Sequence, residues 1–346
     1  MTLDRRIDGD VALESDVLVV GAGLAGATAA RSLVAAGLRV RVLDKGRGPG
    51  GRLSTRRAAS GSFDHGASSL QAVGEDFRAW LGDMAEAGAA TVGADDQWAG
   101  VPGMNALVAH TLDGLSPQWS CTVASLAQAE GRWVALDAAG AILATAPQLV
   151  LAVPAPQARA LLASLEVDAP AERAGSGAMA ALVAALAAAR YAPCWAAMVV
   201  TAPEPDRPVA VVPARFDDDV IERIAREDDK PARASGHWVV HAATAWSIHH
   251  LERPADEVAL LLGEAFVAAT GIDRSRLLSV SAHRWRYASP LVGVDHAGYP
   301  DLGLHLAGDA VGWRAEAGVP PAENAWRSGR AAARSILGRV VDQPKS

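Results

Sequence analysis

Short β-branched runs and longer alanine-rich stretches alternate along this chain, and their order predicts a mixed α/β protein. Asp16-Val17-Leu18-Val19-Val20 is apolar at consecutive positions, the pattern of a strand buried on both faces. An alanine-rich helix follows and ends near Gly37, and Leu38 to Leu43 forms a second strand. Farther on, a strand pair is expected at Trp119 to Leu126 and Gly131 to Asp137, turned at Glu130-Gly131, and Gln148 to Pro154 reads as a buried strand closed by proline. From about Ala155 to Ser279 the pattern changes. Strands at Trp195 to Thr201, Val209 to Val212 and His237 to Ala242, with a helix at Asp256 to Thr270, suit an inserted antiparallel sheet. Near the end, Leu304 to Asp309 reads as a short buried strand, and after Pro320-Pro321 a helix runs from about Ala322 to Leu337.

The first strand and its helix are joined by Gly21-Ala22-Gly23-Leu24-Ala25-Gly26. Gly21 permits the tight turn, Gly23 lets backbone approach a pyrophosphate, and Gly26 lets the helix pack closely on the sheet. The helix start offers unpaired N–H groups to phosphates. The second strand then delivers Asp44, where a carboxylate accepts hydrogen bonds from an adenosine ribose. Strand, turn, helix and acid in register predict a domain that binds FAD or NAD.

What comes next separates those two. Lys45-Gly46-Arg47-Gly48-Pro49-Gly50-Gly51-Arg52-Leu53-Ser54-Thr55-Arg56-Arg57 is a glycine-rich loop with four arginines, for which an NAD domain has no need. Together with Gly308-Asp309 and the last helix, it resembles the FAD domain shared by the glutathione-reductase and amine-oxidase classes, in which both chain ends meet on one cofactor. That resemblance implies FAD contacts from Gly21, Gly23, Leu24, Ala25 and Gly26, from Asp44 and Lys45, and from Gly50 and Gly51. It sets Arg52 near the pyrophosphate and Asp309, after Gly308, at the ribityl or phosphate end. Gly66, Ala67, Pro102, Gly103, Met104, Val123 and Ala152 line the same cofactor, and the last helix points Glu323, Asn324 and Ala325 at the flavin N1–C2=O edge. A helix start carries about half a positive charge, which suits a reduced flavin.

Composition narrows the function. The net charge of −7 and pI near 5.7 argue against a nucleic-acid or anionic-membrane surface, so small-molecule work is expected. The most apolar run, Ala178 to Ala189, is too short for a membrane span, and the first ten residues are polar, without the apolar core of a signal peptide. Two cysteines, Cys121 and Cys194, without a CxxC pattern suit a reducing cytoplasm and give no metal site. Asp217-Asp218-Asp219 and Arg226-Glu227-Asp228-Asp229-Lys230 are expected to be solvated faces. The fold expected is a Rossmann-like FAD-binding α/β domain with an inserted α+β antiparallel-sheet substrate domain. The FAD-binding domain takes residues 1–75, 101–155 and 281–346, and the substrate domain takes 76–100 and 156–280.

Several strings resemble the renalase family, particularly its bacterial members. They are Asp44 to Arg52, Pro102-Gly103-Met104-Asn105-Ala106-Leu107, Trp238 to Ser247 and Ala282-His283-Arg284-Trp285-Arg286-Tyr287-Ala288, followed by Gly308-Asp309 and Trp326-Arg327-Ser328-Gly329. The resemblance implies oxidation of 2- and 6-dihydro isomers of NAD(P)H, with hydride passing to FAD and electrons to O2 to give hydrogen peroxide. Loss of hydride from a dihydropyridine restores an aromatic ring, so no base is required and positioning suffices. His283, Arg284, Trp285 and His241 are the candidate catalytic residues, since cationic and aromatic groups together suit a dinucleotide. The chain departs from the family after Gly66, where Ala67-Ser68-Ser69 replaces bulky aromatics. A flavin amine oxidase is the nearest alternative. That class frames its amine with aromatic side chains, often tyrosines, and none of Tyr191, Tyr287 and Tyr299 is expected beside Gly308-Asp309. Flavin binding with little catalysis is the third reading.

Overall fold

The computed structural model describes residues 14–93, 96–163, 165, 176–202 and 218–342. The chain opens with β1 (Val17–Val20), α1 (Leu24–Ala35) and β2 (Val40–Leu43), then a hairpin of β3 (Arg56–Ala58) and β4 (Gly61–Phe63). Helix α2 (Glu75–Glu86), the pair β5 (Ala90–Val92) and β6 (Trp98–Gly100), and α3 (Asn105–Thr111) follow. A meander of β7 (Ser125–Ala129), β8 (Arg132–Leu136) and β9 (Ile142–Ala146) leads into β10 (Gln148–Leu151). Helices α4 (Ala155–Ala163) and α5 (Ser176–Ala188) precede β11 (Arg190–Thr201), β12 (Ile221–Arg226) and β13 (His237–Ala242). Helices α6 (Thr244–His249) and α7 (Ala255–Thr270), the long β14 (Leu277–Val292), β15 (Gly298–Tyr299), β16 (Leu304–Leu306) and α8 (Pro321–Asp342) complete the chain.

Two sheets organise it. In the first, order β15-β16-β10-β1-β2, the pairs β16–β10, β10–β1 and β1–β2 are parallel. Alternation divides its side chains between two cores. Val17, Val19, Val42 and Val150 pack under α1, α2, α3 and α8, while Leu18, Val20, Leu149 and Leu306 pack under the meander, α4 and α5. The second sheet, β12-β13-β11-β14, is antiparallel. One face carries Trp195, Val199, Trp238 and Val240 against Val258, Leu262 and Phe266 of α7. The other carries Met198, Val200 and Val239 against Phe63 of the β3–β4 hairpin. A Rossmann-like α/β unit with an antiparallel-sheet unit is thus the architecture.

Several expectations shift. The meander's first strand lies at Ser125–Ala129, not at Trp119 to Leu126, and β9 adds a third strand to the pair; Glu130 and Gly131 both take positive φ, 50° and 72°, as a tight hairpin requires. The boundary placed at residue 281 falls inside β14, whose pairing with β11 reaches Val292. Phe77, Leu81 and Met84 of α2 share a core with Leu24 and Trp326, so 76–100 packs with the dinucleotide-binding unit. Val209 to Val212, Asp217 and the first ten residues lie outside the described residues. Among the described residues, no helix is long and apolar enough to cross a membrane.

Candidate active site

The glycine turn is built as its residues require. Gly21 holds φ 104°, and a Cβ there would sit 2.5 Å from the Ala152 carbonyl oxygen; one on Gly26 would sit 1.9 Å from the Gly21 oxygen. Gly23 caps α1 without a side-chain hydrogen bond, which leaves first-turn N–H groups for a ligand. Asp44 lies at this helix start, accepting from Ala22 N at 2.5 Å and Gly46 N at 2.6 Å. Gly23 and Gly50 pair backbone to backbone in a parallel bridge, so the 45–51 loop lies against the turn. Lys45 is exposed above it, and Leu24 and Ala25 are buried in the first turn of α1.

The chain ends meet through side chains. Arg52 forms a two-pronged ion pair with Asp309, with Nη2 donating to Oδ1 at 2.7 Å, and Nη1 also faces the Tyr287 and Ala288 carbonyls. Its guanidinium is therefore committed to Asp309 rather than to the glycine turn. Gly308 is fixed by hydrogen bonds to Ser328 Oγ at 2.9 Å, and a Cβ there would meet nothing nearer than 4.0 Å, so its outer side is open. Asn324 donates to the Asp309 and Val311 carbonyls and ties the start of α8 to this loop. Glu323 behaves otherwise: fully buried, it accepts from Val73 N and Gly74 N, facing α2 instead of a cofactor. Tyr191 and Tyr287 stand edge to face at 5.7 Å, with the Arg52 guanidinium 5.9 Å from the Tyr191 ring. Burial and the Asp309 charge push the Tyr191 hydroxyl up to about 12. A tyrosine pair does therefore lie beside Asp309, contrary to the sequence expectation.

Beyond Arg52, the segment Asp64-His65-Gly66 is gripped from three directions. Ala67 N donates to the Arg52 carbonyl at 2.9 Å, and Gly66 passes so close that a Cβ would be 2.0 Å from that oxygen. Asp64, 0% exposed, accepts from Thr55 Oγ1 (2.6 Å), Met104 N (3.0 Å), Lys230 Nζ (2.7 Å) and Arg233 Nη2 (2.7 Å). Lys230 and Arg233 also pair with Glu227, likewise 0% exposed, at 2.9 and 3.3 Å. The 226–230 run is therefore not a solvated face; two of its charges are buried because two opposite charges meet them. Burial raises Asp64, but the charges and hydrogen bonds around it prevail and hold it below the usual carboxylate range, whereas burial holds Glu227 above it. Met104 and Gly103 form the floor of this cluster, at the cis Val101–Pro102 bond, and Val123 packs under the meander.

On the third side stands β14. Trp285 Nε1 donates to the His65 carbonyl at 2.8 Å, and His241 hydrogen-bonds the Gly66 and His65 backbone. The rings of His65, His283 and Trp285 form a triangle with centroid distances of 4.9, 5.2 and 4.5 Å. Register explains the grouping, since Ala196 of β11 is flanked by His241 on one side and His283 on the other. Burial, then the neighbouring His283 and Arg56, pulls His65 down to about 4; burial, then Arg223, does the same to His241; burial and Arg56 lower His283. Three neutral imidazoles result at neutral pH. Arg284 is not with them. It alternates to the opposite face, near Trp195, and with Arg286 it pairs with the exposed Glu252. Asp64, Lys230 and Arg233 join the site without any local sequence signal; 166 residues separate Asp64 from Lys230, so no local pattern links them.

A dinucleotide such as FAD fits what is present. Unpaired N–H groups at α1, an open side at Gly308, and buried polar atoms without partners at Ser68 Oγ and His65 Nδ1 are the features a bound ligand would satisfy.

Known proteins agree with this architecture. The NAD(P)-binding Rossmann-like domain family matches residues 19–84. A tRNA 5-methylaminomethyl-2-thiouridine biosynthesis bifunctional protein of Cupriavidus necator is 30% identical over 202 residues, covering 40% of this chain and 31% of that protein. Putrescine oxidase of Kocuria rosea is 48% identical over 63 residues, 18% of this chain and 13% of the enzyme. The matches thus span less than a third of these relatives. Among solved structures, a putative protoporphyrinogen oxidase from Exiguobacterium sp. superposes with TM-score 0.62 at 15% identity, covering 97% of this chain and 100% of that one. Cyclohexylamine oxidase from Brevibacterium oxydans superposes with TM-score 0.66 at 13% identity, covering 94% and 99%. The chain therefore has a Rossmann-like dinucleotide-binding domain within the fold of these oxidases.

Proposed function

We propose that this protein is an FAD-dependent oxidase that takes hydride from 2- or 6-dihydronicotinamide dinucleotides and delivers the electrons to O2 as hydrogen peroxide. The observation that carries this reading is the triangle of His65, His283 and Trp285 at the His65–Gly66 segment, which Ala67 N ties to the carbonyl of Arg52, the partner of Asp309. It offers flat, uncharged ring surfaces for a planar donor, and restoring an aromatic nicotinamide requires no proton acceptor.

FAD would be held by the first turn of α1 and Asp44 at its adenosine end, by the Arg52–Asp309 junction, and by the 308–311 loop and the start of α8. When bound, it supplies a two-electron acceptor that O2 can reoxidise. The protein's own part is positional. Trp285 and His241 grip the His65–Gly66 backbone, so both are positioning residues; the Asp64 cluster fixes the same segment from behind. His65 and His283 face the donor's ring. We assign Arg284 no catalytic part.

Amine oxidation is a second reading, and the Tyr191–Tyr287 pair beside Asp309 favours it. Putrescine oxidase itself is similar over only 63 residues, a length that speaks to the dinucleotide-binding segment. Aerobic turnover separates the two. The 2- and 6-dihydro-NAD isomers are expected to yield one hydrogen peroxide per donor oxidised, while putrescine and cyclohexylamine yield none. Peroxide from the amines alone contradicts the proposal.

A further inference from the structure

A charged hairpin lies beside the ring cluster, and its sign bears on substrate choice. Arg56 lies opposite Phe63 in the β3–β4 hairpin, so both side chains project from the same face of it. Phe63 packs on Met198, Val200 and Val239 and against the His237 ring at 5.2 Å, which directs that face toward the second sheet. Arg57, opposite Ser62, projects from the other face. Arg56 is exposed, and among the described residues no carboxylate lies within ion-pair distance of it. Its charge nevertheless reaches both His65 and His283. Arg223 and Lys230 act instead on His241.

A cation beside a cluster of neutral rings attracts an anion and repels an ammonium group. Guanidinium binds phosphate through paired hydrogen bonds, which adds geometry to attraction.

We propose that Arg56 recognises a phosphate group of the substrate, so that the site selects a phosphate-bearing hydride donor over a protonated amine. This rests on the hydride-donor reading above. The donor's ring lies against the His283 and Trp285 rings while its phosphate remains at the hairpin.

Two measurements on the FAD-loaded protein test it. The first compares flavin reduction by 6-dihydronicotinamide mononucleotide and by the corresponding riboside, which share a ring and differ in the phosphate. Arg56→Gln should lower the mononucleotide's affinity advantage about tenfold or more, the range for a hydrogen bond to a charged group. Arg56→Lys should retain part of the advantage, and Arg57→Gln all of it. The second measurement uses inorganic pyrophosphate and no turnover: it should move the His283 ring signals in NMR spectra of the wild type but not of Arg56→Gln. An advantage unchanged in Arg56→Gln, or equally reduced in Arg57→Gln, overturns the proposal, as does pyrophosphate that leaves His283 unmoved. If neither donor reduces the flavin, the hydride-donor reading fails, while the pyrophosphate arm still decides the role of Arg56.

Discussion

At the residue scale, Asp64 does more than its position beside His65 suggests. One carboxylate with no solvent exposure receives two charged donors, a hydroxyl and a backbone N–H. A buried ion pair adds little net stability over a hydrophobic substitute, but removing one partner leaves the others desolvated and uncompensated. Asp64→Asn is therefore expected to cost about 3–5 kcal/mol in denaturant unfolding. Glu227→Gln should cost clearly less, because burial already holds Glu227 toward its protonated form and its Oε2 has no hydrogen bond. Equal losses in the two variants would show that the cluster does not discriminate between its acids.

At the scale of elements, the glycine turn and the helix after it act as one unit. A methyl group on Gly26 would meet the Gly21 carbonyl at 1.9 Å, and that carbonyl cannot rotate away without unmaking the turn. Gly26→Ala should lose about 1–3 kcal/mol of stability and most of its bound FAD, read from the flavin-to-protein absorbance ratio. Full FAD retention would mean that the turn does not shape the cofactor site. This unit was legible because it is local: strand, turn, helix and Asp44 fit within a short stretch whose periodicity changes at each boundary. The Arg52–Asp309 pair, 257 residues apart, was legible only through resemblance to a known domain. Neither route exposed the face of β14. The string His283-Arg284-Trp285-Arg286 reads as one cluster in sequence, yet strand alternation sends His283 and Trp285 to the site and Arg284 and Arg286 to Glu252. The buried Lys230 and Glu227 looked like surface charges because their partner, Asp64, sits on another element far away in sequence.

At the scale of the whole molecule, buried histidines link folding to pH. His65, His241 and His305 titrate near 4 in the folded chain, in each case chiefly because of burial, and His283 is lowered as well. Between the ordinary histidine value near 6.5 and about 4, the unfolded chain binds more protons than the folded one, so stability is full above 6.5 and falls as pH drops through that window. Glu227, raised above its ordinary 4.5, acts in the opposite sense and offsets part of the slope. The urea midpoint should thus fall between pH 7 and pH 4.5, and less so in His305→Gln; a flat midpoint would contradict the burial of these rings. What the assembled site accepts decides its function. Its most direct test is a single anaerobic turnover, mixing the FAD-loaded protein with each donor and following loss of the flavin's visible absorbance. The 2- or 6-dihydro-NAD isomers are expected to bleach the flavin at least a hundredfold faster than putrescine or cyclohexylamine, the scale of effect that positioning of a hydride donor commands. Faster bleaching by the amines, with the dihydronicotinamides inert, would contradict it.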